Sequence, residues 1–93
     1  MHVGVAAVRF RVDGSRSLKE KRQVVRRIKD QVRQRFNVAI AEVGELDDRR
    51  TAEIGFTCIS NDARHAMSIL TNVADYIETA FPIVVIDVQT ELW

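Results

Sequence analysis

Four segments of the chain have patterns typical of β-strands, and in the first and third of them apolar and polar residues alternate with a period of two. In the first segment Val8, Phe10 and Val12 alternate with Arg9 and Arg11, so its even-numbered side chains should face a core. The predicted strands are His2–Val12, Val38 to about Glu45, Thr51–Ser60 and Ile83–Leu92, with a polar hairpin connection at Glu45–Arg50.

Apolar residues spaced three and four apart predict a first helix within Gly14–Phe36. Its apolar seam is Val25, Ile28, Val32 and Phe36. Ser17 and Glu20 stand in the relation of a capping box, in which the hydroxyl accepts a first-turn N–H and the carboxylate reaches back to the cap. Asn37 tolerates the left-handed conformation, and we expect it to end the helix.

A second helix is predicted after the third strand. Asn61 and Asp62 are good N-cap residues, and an apolar seam runs from there to Ala80. Phe81 precedes Pro82, and the residue before a proline is disfavoured in the α conformation. The helix should therefore end at this point.

The element order β-α-β-β-α-β predicts a ferredoxin-like sandwich of the α+β class. Two right-handed crossovers and one hairpin place both helices on one face of a four-stranded antiparallel sheet. The first and third strands should then be central. We expect residues 1–93 to form a single domain of this kind.

Composition bounds the class of protein. The chain has 93 residues, of which 46% are hydrophobic and 29% charged, as in ordinary soluble domains. Cys58 is the lone cysteine and cannot form an internal disulfide, so nothing indicates secretion. No apolar run approaches the ~20 residues of a membrane span. We expect a cytoplasmic protein with no membrane partner.

The net charge of +1 conceals a strong asymmetry along the chain. Arg16–Arg35 contains nine lysines and arginines and two acids, a charge of +7, which leaves −6 for the remainder. The predicted anion-binding residues on this segment are Arg16, Lys19, Lys21, Arg22, Arg26, Lys29 and Arg33. Such asymmetry concerns partners more than folding.

Two interpretations of the basic helix remain open at this stage. It can be a solvated face that only keeps a small domain soluble. Alternatively, it contacts phosphates of RNA or a ribosomal particle, for which such basic patches are typical. Cations in the first helical turn oppose the helix dipole, and this misfit favours an anion site. Base reading by the sheet is disfavoured, because Phe10 and Phe56 fall on the core side.

The face of the sheet opposite the helices is predicted to be apolar. An apolar patch exposed to water commonly marks an interface, so a homodimer through this face is expected. Its predicted interface residues are Val3, Val5, Ala7, Ile59, Ile83 and Val85. A homodimeric interaction module without a nucleic-acid role is therefore the alternative function.

No enzyme motif emerges from the sequence. His2 and His65 have no clustered acidic partner, and Cys58 alternates with core residues as a small hydrophobe would. Acylphosphatases share the predicted fold, but their glycine-rich phosphate loop is absent after the first strand. We therefore expect no catalytic residue, cofactor or metal.

Five short segments together resemble the bacterial YlxP-like family. The segments are Ser17–Arg22 (SLKEKR), Arg35–Val38 (RFNV), Ala41–Val43 (AEV), Ala52–Gly55 (AEIG) and Ser60–Asp62 (SND). The resemblance spans nearly the whole chain and implies a ferredoxin-like domain of unknown function. Genes of that family tend to lie near those for translation initiation and ribosome maturation, which implies an RNA or ribosome setting. Arg49 stands where many members carry a tryptophan, so a role of that aromatic is not carried over.

Overall fold

Four strands and two helices follow one another in the order that the sequence predicts. The computed structural model describes all 93 residues. The elements are β1 (His2–Val12), α1 (Leu18–Arg35), β2 (Ala39–Gly44), β3 (Thr51–Ser60), α2 (Ala63–Ala80) and β4 (Ile83–Leu92). The strands form one antiparallel sheet in the order β2-β3-β1-β4, so β1 and β3 are central. The predicted ferredoxin-like fold is confirmed.

One hydrophobic core lies between the sheet and the helices. The even-numbered side chains of β1 from Ala6 to Val12 and of β3 from Ala52 to Cys58 are buried, and Val8 and Phe10 lie opposite Ile54 and Ala52 in the register. Each helix adds one stripe of buried residues to this core. The opposite face of the sheet is left uncovered by the chain itself.

The β1–α1 loop and the start of α1 are fixed by local hydrogen bonds. Gly14 has φ of +76°, a conformation that glycine adopts without steric cost. Ser17 caps α1, and its Oγ accepts the backbone N–H of Glu20 at 3.1 Å. The Glu20 carboxylate accepts the N–H of Arg16 at 2.6 Å, one residue before the cap. The capping box is therefore present, with its second bond displaced by one position.

The predicted end of α1 is wrong in its detail. The helix ends at Arg35, and Phe36 leaves it in an extended conformation. Glu45 is the sole non-glycine residue with a positive φ, so Asn37 does not adopt the left-handed conformation. The Phe36 ring lies 5.7 Å from the ring of Tyr76 on α2, and this contact favours the extended exit.

The expected orientation of Ile83 and Val85 on the open face is also wrong. Both residues pack against the core. In the register Val85 lies opposite the buried Phe10, and directly opposed residues share a face of the sheet. Val84 lies opposite Arg11 and is the β4 valine that faces outward.

A bulge in β4 explains why the pattern could not fix its orientation. Arg9 pairs with Asp87 and Phe10 with Val85, so Ile86 is an extra residue between them. Before the bulge the odd-numbered residues of β4 face the core, and after it the even-numbered residues do. Val88 consequently lies opposite the core residue Val8 and not on the same face as Val84.

Candidate nucleic-acid interface

Four of the seven predicted cations are exposed and have no acidic partner; one of them precedes α1 and three lie on the outer face of that helix. Arg16, Lys19, Arg22 and Arg26 are all exposed. The three ion pairs of the structure are Arg11–Asp13, Lys21–Glu42 and Arg33–Asp30, and none of them includes these four residues. Their charges are therefore available to a ligand.

Two further predicted cations are less available. Arg33 donates from Nη2 to the carbonyl of Ile40 at 3.1 Å and lies 3.7 Å from Asp30. Lys29 is half-buried. Both lie in the C-terminal half of α1, so the predicted cations that remain unpaired and exposed are those near the start of the helix.

Lys21 was expected on the anion-binding face, and the structure contradicts that placement. Its side chain is 0% exposed. The ammonium donates to the carbonyl of Glu45 at 2.7 Å and to that of Thr51 at 3.2 Å. Lys21 precedes Val25 by four residues and so belongs to the buried stripe of α1. This four-residue spacing is the feature of the sequence that could have identified Lys21 as a buried residue.

Glu42 is the charged partner of Lys21 inside the protein. It follows the buried Ile40 by two positions on β2 and therefore faces the helices. Its Oε2 atom lies 3.4 Å from Nζ of Lys21 and accepts no hydrogen bond. We interpret the contact as a charge interaction, and the hydrogen bonds of the ammonium go to backbone carbonyls.

The β2–β3 hairpin lies directly against the β1–α1 loop. Ser15 Oγ donates to the carbonyl of Arg49 at 2.7 Å, and the N–H of Val12 donates to the carbonyl of Arg50 at 2.7 Å. Both arginine side chains are exposed and belong to no ion pair. Sequence reasoning missed them because they lie in the acidic remainder of the chain, more than thirty residues from the loop.

Asp48 closes the turn of this hairpin. Its Oδ1 accepts the N–H groups of Arg50 and Thr51, each at 2.8 Å. These backbone hydrogen bonds lower the pKa of Asp48, and the charges of Lys21 and Arg49 act in the same direction. The ionised carboxylate of Asp48 thus stabilises the turn through these two hydrogen bonds.

Two grooves adjoin the start of α1. One, of 490 Å³, lies between the β1–α1 loop and α1 and includes Arg26 and Arg27. The other, which we call the tip groove, measures 340 Å³ and is lined by Arg11, Arg16, Arg50 and the loop 12–15. The hairpin and the helix therefore share one basic end of the molecule.

The sheet offers no aromatic platform for bases. Phe10 and Phe56 are buried among the core residues, as the alternation predicted. Trp93 is 70% exposed, but its backbone pairs with Val3 at the opposite end of β1 from the loop that precedes α1. Any contact at the basic end is therefore directed at charge and not at base stacking.

The open face of the sheet exposes a shallow apolar surface. Val5 is 38% exposed and Ile59 is 65% exposed, whereas Val3 and Ala7 are half-buried. A depression of 310 Å³ on this face is lined in part by Val5, Ala39, Ala41, Val43 and Gly55. The outward orientation predicted for the β1 and β3 members of this face is what the structure shows.

The structure contains neither a cluster of metal-ligating side chains nor a helix suited to crossing a membrane. His2 lies on β1 and His65 on α2, and no group of three histidine, cysteine or acidic residues could hold a metal ion. Cys58 is buried. Neither helix combines the length and apolar character needed to cross a bilayer.

Comparison with known proteins identifies the family. The family model described as protein of unknown function (DUF503) matches residues 3–90. The uncharacterized protein YlxP of Bacillus subtilis (strain 168) is 32% identical over 80 residues, which cover 86% of each chain.

A solved structure shares the fold. A de novo designed protein with a ferredoxin fold aligns with a TM-score of 0.57 and 20% identity, over 98% of this chain and 87% of its own. The C-terminal domain of a cyclometallase involved in the synthesis of the NPN cofactor of lactate racemase aligns at only 0.42, with 12% identity over 56% of that chain. The second likeness is too distant to inform function. The chain thus belongs to the DUF503 family of proteins of unknown function, in agreement with its resemblance to YlxP.

Proposed function

We propose that this protein is a non-enzymatic, cytoplasmic RNA-binding protein that contacts RNA or a ribosomal particle through the outer face of α1. The observation that carries the proposal is the set of exposed cations without acidic partners at the start of the helix. These residues are Arg16, Lys19, Arg22 and Arg26. Phosphate groups are the complementary partners for such a set.

Helix geometry supports this assignment. Arg22 and Arg26 are four residues apart and therefore lie on one side of α1, about 6 Å apart along the axis. The buried stripe on the other side holds the helix rigidly on the sheet. Cations at the start of a helix oppose its dipole, so their presence costs some stability that a bound anion offsets.

The proposed contact is insensitive to base sequence. Cations that meet phosphates position a protein on RNA but carry no base information. The aromatic residues that could stack on bases are buried or lie away from the basic end. Structured RNA is therefore the expected target, recognised through its backbone.

A salt titration tests this function. Affinity for a structured RNA should fall steeply between low and moderate salt, since each phosphate contact releases counterions. Fluorescence anisotropy with two unrelated RNA hairpins measures both affinity and sequence dependence. Affinity that does not respond to salt, or no binding at low salt, would contradict the proposal.

The open face of the sheet supports a second candidate function, a homodimeric interaction module. The observation in its favour is the apolar depression beside the exposed Val5 and Val43. Three strands about 33 Å long and the shorter β2, about 20 Å long, lie about 4.8 Å apart and present about 600 Å². Two copies face to face would bury about 1,200 Å², the lower end of the range for specific interfaces.

Sedimentation distinguishes the two candidates. A dimer with no salt-sensitive RNA affinity supports the interaction module alone. A monomer that binds RNA supports the first candidate alone. Because the two surfaces lie on different faces of the sheet, a dimer that also binds RNA is compatible with both.

A further inference from the structure

We propose that Arg16 and Arg50 form a discrete phosphodiester-binding subsite in the tip groove, and that the buried Lys21 positions it. The inference rests on the proposed RNA-binding function and extends the contact surface from α1 onto the β2–β3 hairpin. The chemical class of the ligand is a phosphodiester of the same RNA that lies along α1.

The β2–β3 hairpin turns its backbone carbonyls towards the β1–α1 loop. The carbonyls of Arg49 and Arg50 point into the protein, where they accept hydrogen bonds from Ser15 and Val12. The hairpin backbone is therefore anchored to the β1–α1 loop. Its arginine side chains are left exposed at the surface.

The tip groove is lined by three arginines and one acidic residue. Arg11, Arg16 and Arg50 line it, and Asp13 is its sole acidic lining residue. Asp13 lies 3.5 Å from Arg11, so this acid is already neutralised. Arg16 and Arg50 remain as two guanidinium groups without an ion-pair partner on one concave surface, and guanidinium is well matched to phosphate oxygens.

Lys21 joins α1 to both ends of the hairpin loop. Its ammonium donates to the carbonyl of Glu45, the first residue of the loop, and to that of Thr51, the first residue after it. Glu45 has φ of +59°, a conformation that a non-glycine residue rarely adopts without support. Lys21 therefore acts as a positioning residue for the hairpin that brings Arg50 to the groove lined by Arg16.

Charge reversal of Arg50 provides the main test. In anisotropy titrations with an RNA hairpin, Arg50→Glu should weaken binding by about tenfold, and Arg16→Glu by a similar factor. The slope of log affinity against log salt should become shallower by about 1 for each. Arg49→Glu is the matched control, because it makes the same charge change on the same hairpin outside the tip groove.

The outcomes separate this inference from the function on which it rests. If Arg50→Glu weakens binding more than Arg49→Glu, the subsite is supported. If the two variants are equal or both silent while Arg22→Glu weakens binding, the subsite is overturned and the proposed function stands. If Arg22→Glu is silent as well, both are overturned.

The role of Lys21 is tested by coupling. In a Lys21→Met/Glu42→Met background, which removes both members of the buried pair, the effect of Arg50→Glu should largely disappear, whereas that of Arg22→Glu should persist. A merely structural role would alter both effects together. An Arg50→Glu effect of undiminished size in this background would overturn the positioning role. If this background does not fold, the NMR signal of the Lys21 ammonium in the wild-type protein is followed as urea is added. Loss of this signal at the same urea concentration as the amide signals of the hairpin supports the positioning role. Loss at a higher urea concentration than the hairpin amides overturns it.

Discussion

The Nζ atom of Lys21 lies 3.4 Å from the Oε2 atom of Glu42 beneath the first helix, and no water-exposed surface remains on the lysine. Removing one member of such a pair leaves the other charge buried without compensation, which typically costs 3–5 kcal/mol. Replacing both members by apolar residues of similar volume is often neutral.

Lys21→Met is therefore expected to lower the free energy of unfolding by about 3 kcal/mol. The double variant Lys21→Met/Glu42→Met should recover the part of this loss that comes from the unpaired Glu42 charge, but not the part that comes from the Glu45 and Thr51 carbonyls left without their donor. Urea unfolding followed by circular dichroism measures both values. A single variant within about 1 kcal/mol of wild type would show that the pair behaves like a surface ion pair.

Ser17→Ala should destabilise the protein by roughly 0.5–2 kcal/mol, because the N-cap hydroxyl that accepts the Glu20 N–H is lost. Ser17→Asp retains an acceptor at the same position and serves as the control. Thermal unfolding compares the two. Equal stability of Ser17→Ala and wild type would contradict the contribution assigned to the cap.

Acid should weaken the β2–β3 hairpin through Asp48. The pKa of Asp48 is lowered below its ordinary value of 3.8 by the N–H groups of Thr51 and Arg50. A lowered folded-state pKa means that the stabilisation is present above pH 3.8 and is lost as the pH falls through the folded-state value.

NMR titration of the Asp48 carboxyl should therefore give a midpoint below 3.8. The Asp48→Asn variant cannot titrate at this position, so its hairpin amide shifts should lack the corresponding acid transition. A midpoint at or above the ordinary value would show that the turn hydrogen bonds do not favour the carboxylate.

Substitutions on β4 should separate its two faces. Val84→Glu on the open face should abolish self-association and leave the circular dichroism native, as should Val5→Glu. Val85→Glu should instead destabilise the fold, because Val85 packs against the core. Sedimentation and circular dichroism on the same samples measure both effects. Wild type that is monomeric at high concentration would remove the basis for the dimer.

Charge reversal on α1 should weaken RNA binding without loss of fold. Arg22→Glu/Arg26→Glu should lower affinity for unrelated RNA hairpins to a similar extent, with a shallower dependence on salt. Arg64→Glu on α2 is the control, because it is also exposed but lies outside the basic end. If Arg64→Glu weakens RNA binding as much as the double variant does, the basic face of α1 is a solvated surface and not an RNA-binding site.

The strength of the sequence patterns explains how much could be predicted. The β1 and β3 alternations are regular, so their buried faces followed directly, and the Ser17 cap had an explicit motif. β4 begins with consecutive apolar residues, and such a run contains no alternation from which a face could be inferred. Its bulge at Ile86 depends on pairing with β1 and is not encoded locally.

The basic end could be predicted only in part. The exposed cations of α1 followed from helical spacing. Lys21 carries the charge of an anion-binding residue but the helical position of a core residue, and its charge alone assigns it to the wrong face of α1. Arg50 could not be joined to the site from the sequence, since its approach to Arg16 depends on tertiary contacts of the hairpin.

Both edge strands of the sheet carry an extra residue. Ile86 interrupts the pairing of β4, and Val43 interrupts that of β2 between Glu42 and Gly44. Because a bulge breaks the regular row of N–H and C=O groups, a foreign strand cannot extend the sheet along the full length of either edge. The two bulges thereby disfavour open-ended polymerisation of the protein by strand addition at the edges of its sheet.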